Sequence, residues 1–163
     1  WFQQQHLRLR DNAVLAAELK ILVEGDHSLE NLSAVCRLMK ERATFIQDIL
    51  TEGGYLIGRP TSYDEKTIRK KWKEHSPALM LGWLTELKSV TTFNAETIES
   101  TFKAFLEVRE MGVGAVLPLF RLLITGKGMG PSMFEIAEFL GKEECAERIT
   151  TGVLEVSTVS SNV

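Results

Sequence analysis

A glycine-rich turn flanked by basic residues is the segment of this chain best suited to chemistry. It lies within the sequence RLLITGKGMGPSMFEI. Gly126, Gly128 and Gly130 each allow a positive φ or a close approach by another part of the backbone. Arg121 stands just before the turn and Lys127 within it, so free backbone groups and positive charge coincide. Such a turn can hold a nucleotide or be only a tight corner, and the pattern leaves both open.

Two arginines next to apolar stretches, Arg42 and the Arg121 just described, are candidate ligands for an anion or a base. Arg42 lies in KERATF, where a surface ion pair with Glu41 or Asp48 would account for it. Arg121 interrupts the apolar run VLPLFRLLI. Because burial of an isolated guanidinium is costly, Arg121 must leave the core or be paired, although its planar fork of donors also suits a base. The pattern alone favours a structural role for both.

A cluster of basic residues surrounds Trp72. Its members are Arg69, Lys70, Lys71 and Lys73. Phosphate binding needs only local positive charge, so these residues are candidates for contact with an RNA backbone. A solvated helix face with a half-buried tryptophan is the plainer interpretation, and it also remains open.

Patterns of ordinary enzyme sites are missing from the sequence. There is no G-x-S-x-G nucleophile turn, and the glycine-rich turn lacks the Lys-Ser/Thr of a P-loop. His6, His27 and His75 stand in polar surroundings without a positioned partner. No Cys/His spacing indicates a metal site. We therefore predict no catalytic residue and no metal.

Composition narrows the class of protein further. The chain has 163 residues, 44% of them hydrophobic, which suits one medium domain or two small helical subdomains. A formal net charge of −3 excludes a nucleic-acid-binding surface that is basic all over, so any contact with nucleic acid needs a local basic patch.

Cys36 and Cys145 lie in apolar helical patterns and are predicted to be reduced core residues. Without a leader or an apolar run of about 18 residues, we expect a soluble, cytoplasmic protein without membrane contact.

Helical periodicity runs through nearly every segment, and no segment alternates with period two over strand length. The first predicted helix is capped by Asp11 or Asn12 and has Val14, Leu15, Leu19 and Leu22 on one side. The stretch 29–50 is predicted to form either one helix or two helices with a break near residues 40–43. A basic helix is predicted over 64–75, and further helices over 76–87, 94–106, 116–124, 131–140 and beyond Gly141. Pro131 is expected at the first helical position and Gly141 at a left-handed cap.

These elements predict an all-α fold. We expect a bundle or cage of about eight helices in two packed subdomains. The subdomains are predicted to cover residues 1–90 and 91–156, with residues 157–163 as a disordered tail. The unusual start, Trp1-Phe2, suggests a fragment of a longer protein.

Several sequence blocks together resemble one known family. They are WF-x-QQ-H-L, VEG, LMKERATF, YDEK and LPLFRLLITGKGMGPSMFEIAEFLGKEECAERI. From residue 1 to about residue 154, the chain is similar to the C-terminal anticodon-binding region of bacterial glutamyl-tRNA synthetase. The final block is the most specific. The family's HIGH and KMSKS catalytic motifs do not occur, and the family places them upstream of this region.

The resemblance implies an all-helical cage that holds an unstacked anticodon loop, since RNA sequence is read mostly in single-stranded loops. It places Arg42 at the first anticodon base and Arg121 at the later bases. The loop that packs on a base would be Gly130, Pro131, Ser132 and Met133. A guanidinium suits cytosine O2 and N3, or a phosphate. The resemblance therefore reverses the structural interpretation of the two arginines.

Specificity and departures from the family also follow from the resemblance. Members that accept only the glutamate tRNA tend to have arginine at the position of Arg42, so this chain is expected to discriminate against the glutamine tRNA. Gly130 stands where some relatives have threonine, so a hydroxyl contact is lost or falls to Ser132. Gln3 replaces a common asparagine in the hinge toward the catalytic body. Lys127 matches no family role.

The implied partners are the anticodon loop of tRNA(Glu) and the upstream catalytic and stem-contact domains of the same chain. The fragment is expected to be a monomer that binds tRNA without catalysis and needs no cofactor, while ATP with Mg²⁺ would act in the catalytic domain. The alternative is a structural helical domain that docks another protein, makes no RNA contact and uses its arginines in surface pairs.

Overall fold

The computed structural model describes residues 2–162, and the side chains of residues 6–162. Within that part of the chain the helices are α1 (Phe2–Leu9), α2 (Asn12–Leu22), α3 (Leu29–Met39), α4 (Ile46–Gly53), α5 (Glu65–Lys71), α6 (Ser76–Ser89), α7 (Ala95–Val108), α8 (Val113–Thr125), α9 (Met133–Leu140) and α10 (Lys142–Ser161). Short 3-10 turns cover Lys40–Arg42 and Gly54–Leu56, and the described residues include no strand. The predicted all-α class is confirmed. Trp1 and Val163 lie outside the described residues.

The count of ten α-helices is close to the expected eight. The periodicity had not assigned α1, which carries the described part of the WF-x-QQ-H-L block. The 3-10 turn Lys40–Arg42 separates α3 from α4, so the apolar stretch over 29–50 forms two helices. The break falls where the sequence placed it.

Two compact units divide the chain between Gly58 and Arg59. The sequence placed this division near residues 90–94 instead. That segment only joins α6 to α7, and these two helices pack against each other within the second unit. A loop between packed helices had therefore been interpreted as a domain boundary.

The first unit is built on the packing of α2 against α3, with α4 contacting both. Its fully buried side chains include Leu15, Leu19, Leu32, Cys36 and Ile49. The predicted apolar side of α2 is partly wrong, because Val14 is 51% and Leu22 44% exposed. The buried side of α2 consists of Leu15, Ala16 and Leu19.

An aromatic cluster forms the core of the second unit. Trp83 on α6 meets Phe102 on α7 edge to face at 5.0 Å between ring centroids, and Phe120 on α8 at 5.4 Å. Phe134 on α9 lies 5.7 Å from Phe102. Edge-to-face pairs add about 0.5–1.5 kcal/mol beyond the burial of apolar area. Four helices are therefore tied to one centre.

Two helix ends differ from prediction. α5 ends at Lys71 instead of continuing to His75, and Trp72 is buried just beyond it. α10 continues through Ser161, so the expected disordered tail is helical as far as residue 161. Burial of Val156 on α10 explains this second difference, because the last turns continue a helix already anchored in the core.

Both cysteines are buried and free, as predicted. Burial raises the pKa of the Cys36 thiol to about 11 and that of the Cys145 thiol to about 12. A thiol with so high a pKa is almost entirely protonated at neutral pH and a poor nucleophile. Both residues therefore act as small apolar core residues.

A charged network joins the start of the second unit to α10. Arg59 donates from Nε and Nη2 to the two carboxylate oxygens of Glu144, each at 2.9 Å, and also pairs with Glu147. Arg148, whose side chain is only 3% exposed, donates from Nε to Glu144 Oε2 at 2.9 Å and from Nη1 to the Ile124 carbonyl at 2.9 Å. Hydrogen bonds from Arg59, and then from Arg148, lower the pKa of Glu144 from its ordinary 4.5 to about 2.

We expect Glu144→Gln to lower the free energy of unfolding at neutral pH, by roughly 1–2 kcal/mol because Glu144 is partly screened by solvent. The depressed pKa means that the carboxylate stabilises the fold above about pH 4.5, and that this contribution is lost as pH falls toward 2. Urea unfolding of wild type and variant should therefore differ most near pH 7 and converge in acid. The exposed neighbour variant Glu143→Gln is the control, and a pH-independent difference for Glu144→Gln would contradict the expectation.

Candidate functional site

The glycine-rich turn begins with a left-handed cap at the end of α8. Gly126 has φ 75° and ψ 0°, and its N–H donates to the Leu122 carbonyl at 2.8 Å. The Thr125 hydroxyl donates to the Arg121 carbonyl at 2.7 Å and accepts from Lys127 N–H at 3.0 Å. The chain therefore turns sharply away from α8 in a fixed geometry.

This turn rests on the start of α5. The Asp64 N–H donates to the Gly126 carbonyl at 2.8 Å. The Asp64 carboxylate caps α5 by accepting from Thr67 N–H at 3.0 Å and from the Thr67 hydroxyl, and these bonds lower the pKa of Asp64. The YDEK block and the glycine-rich block, distant in sequence, therefore meet in one place.

The turn leads into α9 differently from the sequence prediction. Ser132 is the N-cap, with its hydroxyl oxygen accepting from Glu135 N–H at 3.4 Å. Pro131 therefore lies one residue before the cap and not at the first helical position, which is Met133. The Ser132 hydroxyl keeps a hydrogen to donate to a ligand. Gly141 ends α9 with a positive φ of 87°, but its ψ of 160° is not the predicted left-handed helical cap.

Two methionines flank this segment in opposite environments. Met133, which the sequence placed among the base-packing residues, is only 1% exposed, so its side chain supports the loop from the core. Met129 is 80% exposed and offers apolar surface at the turn. Sequence reasoning passed over Met129, because an apolar residue among glycines carries no periodic signal. Gly130 and Pro131 are half-buried.

Arg121 is half-buried on α8, between residues of the core. Phe120 and Leu122 on either side of it are fully buried. Its position one turn before the cap at Gly126 places its backbone beside the glycine-rich turn. The sequence predicted that Arg121 must leave the core or be paired, and its partial exposure agrees with the first of these.

Arg42 ends the 3-10 turn between α3 and α4 and is exposed. Among the side chains described, residues 6–162, it forms no ion pair. The two partners that the sequence offered are engaged elsewhere: Glu41 pairs with Arg8 at 3.0 Å, and Asp48 accepts from the backbone N–H groups of Thr44 and Phe45 at 2.9 and 2.8 Å. The Arg42 guanidinium therefore faces solvent beside a backbone fixed by Asp48.

Phe45, three residues after Arg42, is a further candidate that the sequence did not single out. It lies within the stretch 29–50 that the sequence predicts to be helical with a break, and the structure leaves it 54% exposed at the N-cap of α4. Exposed aromatic rings stack on unpaired bases, and this one stands three residues from an exposed cation in the sequence. Its position in a break between two helices was the available signal.

The basic cluster on and beyond α5 is exposed except for its tryptophan. Arg69, Lys70 and Lys73 face solvent, while Lys71 Nζ donates to the Gly114 carbonyl at 3.2 Å. Trp72 is 6% exposed, more deeply buried than predicted. The basic residues therefore lie on a solvent-exposed surface, and Arg69, Lys70 and Lys73 are accessible to phosphates.

Within the second unit the structure brings together Arg121, the glycine-rich turn and the start of the basic helix α5. Arg42 and Phe45 lie in the first unit. Among the residues described, no group of three or more His, Cys, Asp or Glu side chains could hold a metal ion. No helix in the same range is long and apolar enough to cross a membrane.

The sequence of this chain is similar to known proteins of one family. A family model described as an anticodon binding domain matches residues 10–153. A glutamate–tRNA ligase of Christiangramia forsetii is 37% identical over 158 residues, which covers 94% of this chain and 31% of that protein. A glutamate–tRNA ligase of Porphyromonas gingivalis is 36% identical over 157 residues, with the same coverage. The chain therefore spans about a third of the length of these relatives.

Solved structures agree with the sequence comparison. The crystal structure of a glutamate tRNA ligase from Elizabethkingia meningosepticum matches with a TM-score of 0.87 and 32% identity, over 96% of this chain and 32% of that one. The glutamate–tRNA synthetase of Elizabethkingia anophelis matches with a TM-score of 0.82 and 30% identity, over 94% of this chain and 30% of that one. The fold described above is shared with both.

We expect Asp48→Ala to destabilise the first unit by about 1 kcal/mol, the usual loss for a helix cap. Its carboxylate satisfies two backbone N–H groups directly after the Arg42 turn. Urea unfolding measures the change, and Glu52→Ala, which removes an exposed carboxylate from the same helix, is the matched control. Equal stability of the two variants would show that the cap does not hold this segment.

Proposed function

The chain belongs to the anticodon binding domain family, and from this premise we propose that it reads the anticodon loop of tRNA(Glu) as part of a longer glutamate–tRNA ligase. The match of the family model over residues 10–153 carries the proposal. The exposed Arg42, the exposed aromatic ring of Phe45 three residues later and the exposed cations near α5 support it, because aromatic rings and positive charge bind single-stranded RNA.

In this proposal Arg42 donates to the first anticodon base, and Phe45 offers a stacking surface. Arg121 and the segment Gly130–Met133 contact the later bases. Within that segment Ser132 supplies a hydroxyl donor, and Met129 just before it provides the exposed apolar contact that the buried Met133 side chain cannot make. Arg69, Lys70 and Lys73 contact phosphates, and Lys71 contributes less because it is held by Gly114.

The longer protein is proposed to join glutamate to tRNA(Glu) with ATP and Mg²⁺. These groups belong to catalytic and stem-contact regions outside this chain. The chain itself is proposed to be a monomeric, cytoplasmic tRNA-binding part without catalytic residues. Binding energy from the loop then orients the tRNA for chemistry performed elsewhere.

We expect the chain to bind a tRNA(Glu) anticodon stem-loop with a Kd on the order of micromolar or weaker. The affinity should fall as the salt concentration rises. It should prefer the native loop over one whose first base is changed from C to A. Arg42→Gln should abolish this preference, a loss of about 1–3 kcal/mol of discrimination for a bidentate contact. Fluorescence titration at low and high salt measures both quantities.

The matched control is Lys20→Gln, which removes an exposed positive charge from the same unit and should lower affinity for both loops equally. An unchanged preference in Arg42→Gln would refute the specificity role of Arg42. No binding of any stem-loop by the wild-type chain would favour the alternative, a structural helical domain that docks another protein.

A separate prediction concerns the basic helix. Lys70→Gln should lower the affinity for both stem-loops equally. It should also reduce the slope of log Kd against log salt concentration by about 0.7, the value for one phosphate contact to a single strand. Lys88→Gln on the exposed side of α6 is the control. A change in loop preference, or an unchanged slope, would contradict backbone contact by α5.

A further inference from the structure

The glycine-rich turn is packed against the start of α5 with almost no free space. A Cβ placed on Gly126 would lie 2.4 Å from the Ser62 carbonyl oxygen and 2.9 Å from Pro60 Cβ. The same glycine has a left-handed backbone and accepts the Asp64 N–H. The position of Gly126 is therefore fixed mainly by backbone contacts with residues 62 and 64.

Gly128 makes the second close contact, and this one involves side chains. A Cβ at this position would lie 2.3 Å from Thr67 Oγ1 and 3.3 Å from Asp64 Oδ2. These two groups cannot swing aside easily, because the Thr67 hydroxyl is bonded to the Asp64 carboxylate that also caps α5. The hydrogen-bonded side chains of Thr67 and Asp64 therefore form the surface against which Gly128 packs.

We propose that Asp64, Thr67 and Gly128 form a latch that positions the segment Gly130–Met133 for contact with the later anticodon bases. Only Met129 separates Gly128 from Gly130, so a displaced Gly128 displaces the segment that follows. The latch also fixes the turn relative to α5, which keeps the base contacts in register with the phosphate contacts of the basic helix. This inference rests on the proposed function.

Gly128→Ala tests the latch directly, because its methyl group needs the space occupied by the Thr67 hydroxyl. The variant should lose preference between the native stem-loop and one with a changed last anticodon base, by roughly tenfold, which lies within the range for loss of one specific base contact. Its preference at the first base should persist, because Arg42 and its turn are untouched. A general loss of folding would reduce both preferences together.

A compensating substitution separates positioning from simple damage. Thr67→Ala removes the hydroxyl but keeps the backbone N–H that Asp64 caps, so this variant alone should lower the last-base preference less than Gly128→Ala does and leave the first-base preference unchanged. The double variant Gly128→Ala/Thr67→Ala restores the space and should recover the last-base preference to the level of Thr67→Ala. Failure of the double variant to recover would overturn the latch.

Hydrogen exchange of the Asp64 amide provides a readout that needs no RNA. This N–H donates to the Gly126 carbonyl, so it should exchange faster in Gly128→Ala and return to the wild-type rate in the double variant. An unchanged rate in Gly128→Ala, or an unchanged last-base preference, would overturn the inference. Wild-type chain that binds no stem-loop would refute the proposed function and the base-reading role, while the Asp64 amide would still show whether the turn is held.

Discussion

The hydrogen bond from Arg148 to the Ile124 carbonyl is the constraint on which the geometry of the glycine-rich turn depends. Arg148 is nearly fully buried, and its guanidinium pairs with Glu144 while it donates to the Ile124 carbonyl, which offsets the cost of burying the charge. Glu144 is in turn held by Arg59. The end of α8 is therefore fixed from one side by charge, and two residues later the turn is fixed from the other side by Asp64.

This anchoring explains how a flexible sequence can present a defined surface. Three glycines within five residues would leave the backbone free in an unfolded chain. In the folded chain Gly126 and Gly128 instead permit contacts too close for any side chain. The rigid turn then exposes Met129 and the Ser132 hydroxyl, which are the groups that an unpaired base can contact.

The fold class and most helix starts could be predicted from sequence, because capping residues and apolar periodicity act locally. Asn94 and the Ser76-Pro77 start are examples. The unit boundary, the N-cap at Ser132 and the exposures of Met129, Phe45 and Met133 could not, because they depend on which helices pack together. Likewise, nothing in the YDEK block alone indicates that it supports a turn more than sixty residues away.

Hydrogen–deuterium exchange of the chain with and without a tRNA(Glu) anticodon stem-loop maps the RNA contact surface without any substitution. We expect slower exchange at residues 40–46 and 126–133 on binding, and little change in the aromatic core around Trp83. Binding that leaves both segments unchanged and protects other surfaces would contradict it.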